Sequence, residues 1–311
     1  MRAIAVDLGG THATVAIVED RNILESEVLS LGSGHGLASV LPLLCESSKK
    51  LLLKGATDLH SVNGFALSFC GLTDSAARRV LSTNSKYDDA PGLDLQAWCK
   101  RELGLPFRIE NDARMALLGE CYAGAGRGQT DVVMITLGTG IGGAAMMHGQ
   151  LVVGKHILGG NLCGHLPVVF NGRRCTCGAI GCAEAEAAGW SLPQIAKEWP
   201  GFAESELASK PEVNFRELFG CASAGDRVSV ELRDRCLHIW ASLSVGLIHA
   251  YDPELIIIGG GVMQSADVIV PYIQQYVNQY SWTPWGKVQI RAAELENRAG
   301  LLGAIPLLAQ L

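Results

Sequence analysis

One local pattern occurs twice in this chain: an apolar strand, a turn of glycine and threonine, and a second apolar strand. The first copy covers residues 4–18 around Gly9-Gly10-Thr11, and the second covers residues 131–147 around a turn at 138–143. Apolar residues at alternate positions on both sides of a glycine turn predict a β-hairpin. Because the pattern is repeated, we expect two similar halves, each presenting backbone N–H groups to a shared cleft.

Length and composition limit the class of protein. The chain has 311 residues, enough for two domains, and its 48% of hydrophobic residues argue against disorder. A net charge of −6 without a basic block argues against nucleic-acid and membrane partners. We find no apolar run of about 18 residues and no secretory signal, so we expect a cytoplasmic globular protein.

The rest of the chain alternates helical and strand patterns, which predicts an α/β protein. Apolar residues at helical spacing predict helices over residues 36–54, 93–102, 112–120, 227–250 and 298–310. Short apolar runs predict strands over residues 62–68, 107–109 and 256–258. The glycine- and cysteine-rich stretch 159–182 follows neither pattern and is expected to be irregular.

Three glycine turns could bind anions. Backbone N–H groups in such turns attract phosphates, and threonine hydroxyls add donors. Each turn alone could be an ordinary hairpin, but three together indicate one polyphosphate nucleotide held from several sides. The residues concerned are Gly9, Gly10, Thr11, Gly138, Thr139, Gly140, Gly259, Gly260 and Gly261.

Two rival nucleotide motifs fit poorly. Residues 138–143 match Gly-x-Gly-x-x-Gly, but a dinucleotide-binding turn should open a helix and precede an acidic residue about 20 positions later. A strand pattern follows instead, and residues 155–165 contain no Asp or Glu. The Walker lysine motif is absent. We therefore expect the phosphates to be held by backbone and hydroxyl groups, with a divalent cation supplying positive charge.

A cluster of possible metal ligands occupies 18 residues. His165 is followed by Cys175, Cys177 and Cys182, with glycines between the cysteines. Four such ligands suit tetrahedral Zn²⁺, and a fully protein-ligated zinc is structural. The alternatives are unconnected core thiols, or Cys163 as a rival ligand.

Asp112 is a candidate acid or base, because it follows a short predicted strand and the end of a strand often faces a cleft. It could remove a proton from a hydroxyl group that attacks a phosphate. The structural alternative is that Asp112 caps the following helix.

These motifs, in this order, resemble the ROK family of sugar kinases and related repressors, which belong to the actin-like ATPases. The resemblance covers nearly the whole chain, and the zinc signature is its most specific part. It rests on the segments Asp7–Thr11, Leu137–Gly143, Glu110–Ala113, Gly164–Glu184, Tyr251–Gly261 and Ala299–Ala304.

The resemblance implies functions for individual residues. Asp112 would be the general base, and Asp7 would hold hydrated Mg²⁺. The sugar would be bound by Gly71, Asn111, Asp112, His165 and Glu184. His165 would use one ring nitrogen for zinc and the other for a sugar hydroxyl, so the zinc would also fix the ring.

One position departs from the family pattern. Where the family usually has Gly-Glu-x-Gly-His, this chain has Asn161-Leu162-Cys163-Gly164-His165. Leucine cannot accept the hydroxyl hydrogen bonds of a carboxylate. Either the sugar differs at that hydroxyl, or Asn161 takes over the contact, or Leu162 faces the core.

We therefore predict an actin-like, two-domain α/β fold. Residues 1–110 with the C-terminal helix 299–311 would form a small domain, and residues 111–298 a large domain carrying the zinc site. The expected activity is transfer of the γ-phosphoryl group of Mg·ATP to a hydroxyl, usually C6, of a hexose or amino sugar. The alternatives are a sugar-binding regulator or a weakly catalytic homologue. A repressor's N-terminal DNA-binding domain has no room before Asp7, and we expect a homodimer.

Overall fold

The computed structural model describes residues 1–310 except 33, 35, 84 and 85, so the last residue of the predicted C-terminal helix, Leu311, lies outside the described part. The chain divides into two compact units. The first contains Met1–Gly128, Gly154–Leu158 and the C-terminal segment from Glu294, and the second contains Gln129–Val153 and Gly159–Ala293. Among the described helices, none is both long and apolar enough to cross a membrane.

The first unit is built on a five-stranded sheet of order β3-β2-β1-β4-β7. Its first three strands are antiparallel, and β4 and β7 add in parallel. The strands of this unit are β1 Arg2–Leu8, β2 His12–Glu19, β3 Asn22–Ser30, β4 Phe65–Phe69 and β7 Phe107–Asn111, with a separate hairpin of β5 Leu72–Asp74 and β6 Arg79–Ser82. Its helices are α1 Leu37–Lys54, α2 Leu95–Leu103, α3 Asp112–Ala123, α9 Ala299–Leu302 and α10 Ala304–Leu308.

The second unit has a five-stranded sheet of the corresponding order, β10-β9-β8-β11-β12. Three strands are again antiparallel, and two add in parallel. The strands are β8 Val132–Leu137, β9 Ile141–Met147, β10 Gln150–Leu151, β11 Leu255–Gly259 and β12 Gln289–Ala292. The helices are α4 Ala183–Ala187, α5 Leu192–Lys197, α6 Phe215–Ser223, α7 Arg227–Tyr251 and α8 Ala266–Tyr280.

The two sheets repeat one topology, as the duplicated sequence pattern predicted. Each has its own apolar core on the packed faces of the sheet. The central strands β4 and β11 are buried along their whole length, which explains why they appear in the sequence as continuous apolar runs. The glycine turns join the first two strands of each unit, so the turns are placed by the sheets themselves.

Two features of the first unit differ from the sequence-based expectations. The unit continues past residue 110, because α3 packs so closely on α9 that a β-carbon on Gly119 would lie 2.0 Å from the Ala299 carbonyl oxygen. The C-terminal helix, predicted as continuous, is divided into α9 and α10 at Gly303. A β-carbon on Gly303 would lie 2.2 Å from the Met115 carbonyl oxygen, so the break also rests against α3.

Candidate active site and metal centre

Asp112 is the first residue of α3, directly after β7 ends at Asn111. The cap of this helix is Asn111, whose Oδ1 accepts from the backbone N–H groups of Ala113 and Arg114 at 3.0 and 3.3 Å. Asp112 Oδ1 accepts from Asn111 Nδ2 at 2.9 Å and from the Ala113 N–H at 2.8 Å. Its Oδ2 bonds to no other residue in the described part of the chain. One oxygen is therefore held in place while the other is available.

The surroundings of Asp112 disfavour its charged form. Part of the residue's surface is exposed to solvent, but the carboxylate is desolvated by the protein around it. This desolvation raises the pKa of Asp112 to about 6; the hydrogen bond from Ala113 opposes the rise, and the charge of Asp7 adds to it. Such a carboxylate is ionised at neutral pH and binds a proton more strongly than an ordinary aspartate, which suits a general base.

Asn111 links Asp112 to the loop at Gly71. Its Nδ2 donates to the Gly71 carbonyl oxygen at 3.0 Å as well as to Asp112. Both donors and both lone pairs of this buried amide are therefore used within the protein. A β-carbon on Gly71 would lie 2.7 Å from the ring of Phe69 and 2.8 Å from the carbonyl oxygen of Ser82, so only glycine fits there. One amide thus fixes both the loop and the carboxylate.

Asp7 lies in β1, in register with Ser68 of β4. The Ser68 hydroxyl donates to Asp7 Oδ1 at 2.7 Å. Gly300 of α9 packs against the carboxylate, since a β-carbon on Gly300 would lie 3.1 Å from Asp7 Cγ. Burial raises the pKa of Asp7, and the Ser68 hydrogen bond opposes this rise. Sequence reasoning did not find Ser68, because no local signal specifies the pairing of two strands 61 residues apart.

The first glycine turn closes the hairpin of β1 and β2, where the Gly9 N–H donates to the His12 carbonyl oxygen at 3.0 Å. The buried Tyr87 reaches this turn and donates its hydroxyl to the Gly9 carbonyl oxygen at 2.7 Å. None of Gly9, Gly10 and Thr11 is buried. The turn is therefore held in shape and remains accessible to a ligand.

The second glycine turn, Gly138-Thr139-Gly140, joins β8 to β9 and is closed by a hydrogen bond from the Gly138 N–H to the Gly140 carbonyl oxygen at 3.0 Å. The return strand begins at Ile141, three residues earlier than predicted. Because a strand follows the turn, this segment is not the dinucleotide-binding motif, which requires a helix.

The third turn, Gly259-Gly260-Gly261, adjoins the second. Gly260 has φ of 96°, and a β-carbon on it would lie 2.2 Å from the Leu137 carbonyl oxygen. Both turns line one cavity of about 820 Å³ within the second unit, whose walls include Gly138, Thr139, Trp190, Asn214, Phe215 and Gly261. Aromatic and amide side chains therefore line a cavity beside the backbone of two glycine turns.

Glu184 of α4 connects the cysteine-rich segment to the second turn. Its Oε2 accepts from the Ile141 N–H at 2.9 Å, and its Oε1 accepts from Trp190 Nε1 at 3.4 Å. A β-carbon on Gly140 would lie 2.8 Å from Oε2. The Glu184 carboxylate is therefore held by the second turn. Because Glu184 belongs to α4, a shift of α4 would move this carboxylate relative to the turn.

His165, Cys175, Cys177 and Cys182 form one cluster whose ligand atoms lie within 4.8 Å of one another. The Sγ atoms of Cys177 and Cys182 are 3.7 Å apart, and Cys175 Sγ lies 3.4 Å from His165 Nδ1. A tetrahedral zinc with bonds of about 2.0–2.3 Å would separate its ligands by roughly 3.4–3.8 Å. The geometry and the donor atoms both fit zinc, and the ring nitrogen of His165 that lies beside Cys175 is Nδ1.

Cys163 does not belong to this cluster. It is buried in the apolar core of the second unit, and its Sγ donates to the Gly160 carbonyl oxygen at 3.1 Å. Gly143 packs on it, since a β-carbon there would lie 2.4 Å from Cys163 Cβ. The interpretation of Cys163 as a rival metal ligand is therefore not supported by its position.

Leu162 does not face the core, because 37% of its surface is exposed. The neighbouring Asn161 is 8% exposed, and its Oδ1 is buried without a hydrogen-bond partner in the described part of the chain. An unpaired buried amide oxygen is costly, so a donor from a ligand would be favourable there. Of the three explanations for the missing glutamate, the core position of Leu162 is thereby removed.

The predicted site residues fall into two groups. Asp7, Gly71, Asn111, Asp112 and the first glycine turn belong to the first unit, while His165, Glu184, the cysteines and the other two turns belong to the second. The repeated sheet order with a glycine turn in each unit defines the actin-like ATPase class of fold.

Within that class, this chain belongs to the ROK family, which it matches over residues 3–310. It is 31% identical to a glucokinase from Thermotoga maritima over 321 aligned positions, covering 100% of this chain and 98% of that protein. The crystal structure of a ROK family glucokinase from Streptomyces griseus in complex with glucose and AMPPNP is similar, with TM-score 0.79, 27% identity and 100% coverage of both chains. A xylose repressor from Caldicellulosiruptor bescii is 23% identical, covering 97% of this chain and 76% of the repressor.

Proposed function

We propose that this protein transfers the γ-phosphoryl group of Mg·ATP to the C6 hydroxyl of a hexose or amino sugar. The glucokinases among its relatives make it an ATP-dependent phosphotransferase of the hexokinase type, as the sequence predicted. The sugar, the hydroxyl and the residue roles are the proposal. The observation that carries it is the Asp112 carboxylate, with one oxygen fixed by its neighbours and one available.

Asp112 acts as the general base in this proposal. Its available Oδ2 takes the proton of the sugar hydroxyl while the hydroxyl oxygen forms its bond to the γ-phosphorus. The bond from that phosphorus to the bridging oxygen breaks, and ADP leaves with the bonding electrons. Asn111 keeps the carboxylate oriented toward the sugar loop at Gly71. Phosphoryl transfer depends mainly on such positioning and on charge neutralisation.

The remaining carboxylate of the first unit, Asp7, suits a hydrated Mg²⁺. Ser68 holds its Oδ1, its Oδ2 bonds to no other described residue, and Mg²⁺ prefers oxygen ligands. The ion would neutralise phosphate charge. Backbone N–H groups of the Gly9–Thr11, Gly138–Gly140 and Gly259–Gly261 turns would hold the phosphates, with the nucleoside in the cavity of the second unit.

The sugar-binding role of the second unit depends on the cysteine cluster. His165 directs Nδ1 to the cluster, which leaves Nε2 for a sugar hydroxyl. Zinc in the cluster would fold this irregular segment and fix the imidazole ring. Glu184, held by the second turn, would accept from another sugar hydroxyl. Zinc held there would therefore be structural and would take no part in the chemical step.

The sugar differs from plain glucose in how it meets residues 161 and 162. Leu162, at the position of the family's glutamate, offers no acceptor, whereas the adjacent Asn161 has an unpaired Oδ1 that could accept one hydrogen bond. We infer that the preferred sugar presents a single donor or a small apolar substituent to this position, as an N-acyl amino sugar does.

A coupled ADP-release screen over about twenty hexoses and amino sugars identifies the substrate. The matched control is 6-deoxyglucose, which lacks the C6 hydroxyl that we propose is phosphorylated. ³¹P and ¹³C NMR of the product identify the phosphorylated oxygen. Turnover of the 6-deoxy sugar at a rate equal to its parent would contradict the C6 assignment.

Light scattering after size exclusion tests the homodimer, which remains a prediction from the sequence, as does the cytoplasmic location.

The second candidate is a sugar-binding regulator, favoured by the repressor among the relatives, or a catalytically weak homologue, favoured by Leu162. The two candidates differ in one measurement. A regulator binds its sugar in calorimetry with micromolar affinity but releases no ADP in the same buffer with Mg·ATP. The retained Asp112, with its raised pKa, favours the kinase.

A further inference from the structure

A lysine outside every recognised motif lies directly on the first glycine turn. A β-carbon placed on Gly10 would be 2.0 Å from Lys86 Nζ and 2.4 Å from its Cε. The side chain therefore occupies the space that glycine leaves open. Lys86 and Gly10 line one cavity of about 200 Å³, together with Leu31, Gly32, Gly36 and Tyr87.

The chain that directly follows Lys86 is anchored by two residues. The neighbouring Tyr87 is 5% exposed, and its hydroxyl donates to the Gly9 carbonyl oxygen at 2.7 Å. The Asp89 carboxylate accepts from the N–H groups of Leu37 and Ala38 at 2.6 and 2.9 Å, at the start of α1. Lys86 is thus placed by two built contacts, one of them to the phosphate-type turn itself.

No described residue pairs with the Lys86 ammonium group. Asp88 and Asp89 line the same cavity but have hydrogen-bond donors of their own: Asp88 accepts from the Thr83 hydroxyl at 2.8 Å, and Asp89 caps α1. The Lys86 charge nevertheless acts on Cys70, which precedes Gly71 in the loop proposed to bind the sugar. Burial raises the pKa of Cys70 to about 11, and Lys86 acts against this rise. An exposed cation therefore lies on the first glycine turn, and its charge opposes the rise in the pKa of Cys70, the residue before Gly71.

We propose that the Lys86 ammonium binds the polyphosphate of the phosphoryl donor at the Gly9–Thr11 turn. This inference rests on the proposed function. It assigns a protein cation to the phosphates in a chain that has no Walker lysine for that role. A lysine binds phosphate as a compact point charge, and hydrogen bonds to charged groups are stronger than those between neutral groups. Sequence reasoning missed it, because Lys86 is 76 positions from Gly10 and belongs to no pattern.

The test compares the full-length wild type with Lys86→Met, Lys86→Arg and the control Lys100→Met, which removes an exposed lysine of α2 in the same unit. Calorimetry measures binding of inorganic tripolyphosphate and of Mg·ADP. We expect Lys86→Met to weaken both at least about tenfold, Lys86→Arg to stay within threefold, and Lys100→Met to match the wild type. In kinetics, KM for ATP should rise about tenfold while KM for the sugar changes less than twofold.

Two results would overturn the inference. If the affinities for tripolyphosphate and Mg·ADP were unchanged in Lys86→Met, Lys86 would not bind the phosphates. An equal loss of nucleotide and sugar affinity, with a lower Tm, would assign Lys86 to folding of its segment. If the wild type phosphorylates no sugar, the proposed function fails, but the calorimetric comparison still decides whether Lys86 binds polyphosphate.

Discussion

The two units share one sheet order but carry different chemistry. The first presents carboxylates, Asp7 and Asp112, whose pKa values are raised by burial, beside a glycine turn and Lys86. The second presents two glycine turns, a nucleoside-sized cavity and a thiol–imidazole cluster. A duplicated fold thus repeats its backbone features, whereas the titratable side chains are specific to each copy. We expect loss of the Asp112 carboxylate to change the chemical step, and variants of Lys86 and of the second unit to change binding and specificity.

The largest effect tests the first unit. Asp112→Asn should retain sugar binding and lower kcat at least about 10²-fold, because it removes the base while keeping the shape and the Asn111 contact. Asp94→Asn is the matched control, since asparagine can still cap α2 as Asp94 does, and it should leave kcat within twofold. Turnover of Asp112→Asn within threefold of the wild type would assign Asp112 a structural role only.

The surroundings of Asp112 also show which features could be predicted from the sequence and which could not. The hairpins, their glycine turns and the Cys/His cluster were predictable, because each depends on residues close together in the chain. The surroundings of Asp112 were not, because they include a hydrogen bond from Asn111 to the Gly71 loop, 40 residues earlier. Contacts such as Ser68 to Asp7 follow from strand pairing, which only the complete fold determines.

The broken C-terminal helix gives the same lesson for backbone packing. Apolar spacing alone continued the helix through Gly303, since glycine costs only about 1 kcal/mol in a helix. The break occurs where Gly303 rests on the Met115 carbonyl oxygen of α3, a contact between segments 188 positions apart in the printed sequence. Local propensity cannot specify such close approaches.

The next effect tests specificity in the second unit. Leu162→Glu should restore the absent acceptor and improve kcat/KM for glucose by roughly tenfold to a hundredfold, from about 1–3 kcal/mol for a paired buried hydroxyl. Leu166→Glu is the control, because Leu166 is exposed to a similar extent, 40% against 37%. Steady-state kinetics and a thermal melt measure both variants. A loss of stability with no gain on any sugar would contradict a pocket role for Leu162.

A smaller effect follows from the raised pKa of Asp112. The base works when ionised, so kcat/KM should rise with pH through about 6 and level off above 7. Between pH 7 and pH 5 the ionised fraction, and with it kcat/KM, falls about tenfold. The phosphates of ATP also titrate in this range, so the residual activity of Asp112→Asn is the reference. A similar acidic limb in that variant would show that another group is responsible.

The smallest effect on turnover is expected from the metal cluster. Freshly purified protein should contain about one zinc per chain, and Cys177→Ser should lose most of it and lower Tm by roughly 5–10 °C. Because the cluster holds His165 and not the reacting atoms, KM for the sugar should rise a few-fold while kcat changes less than twofold. Cys121→Ser, outside the cluster, should keep its zinc. If kcat of Cys177→Ser fell as much as kcat of Asp112→Asn, the cluster would affect the chemical step as well as sugar binding. If the freshly purified wild type contained no zinc, the cluster would not be a zinc site.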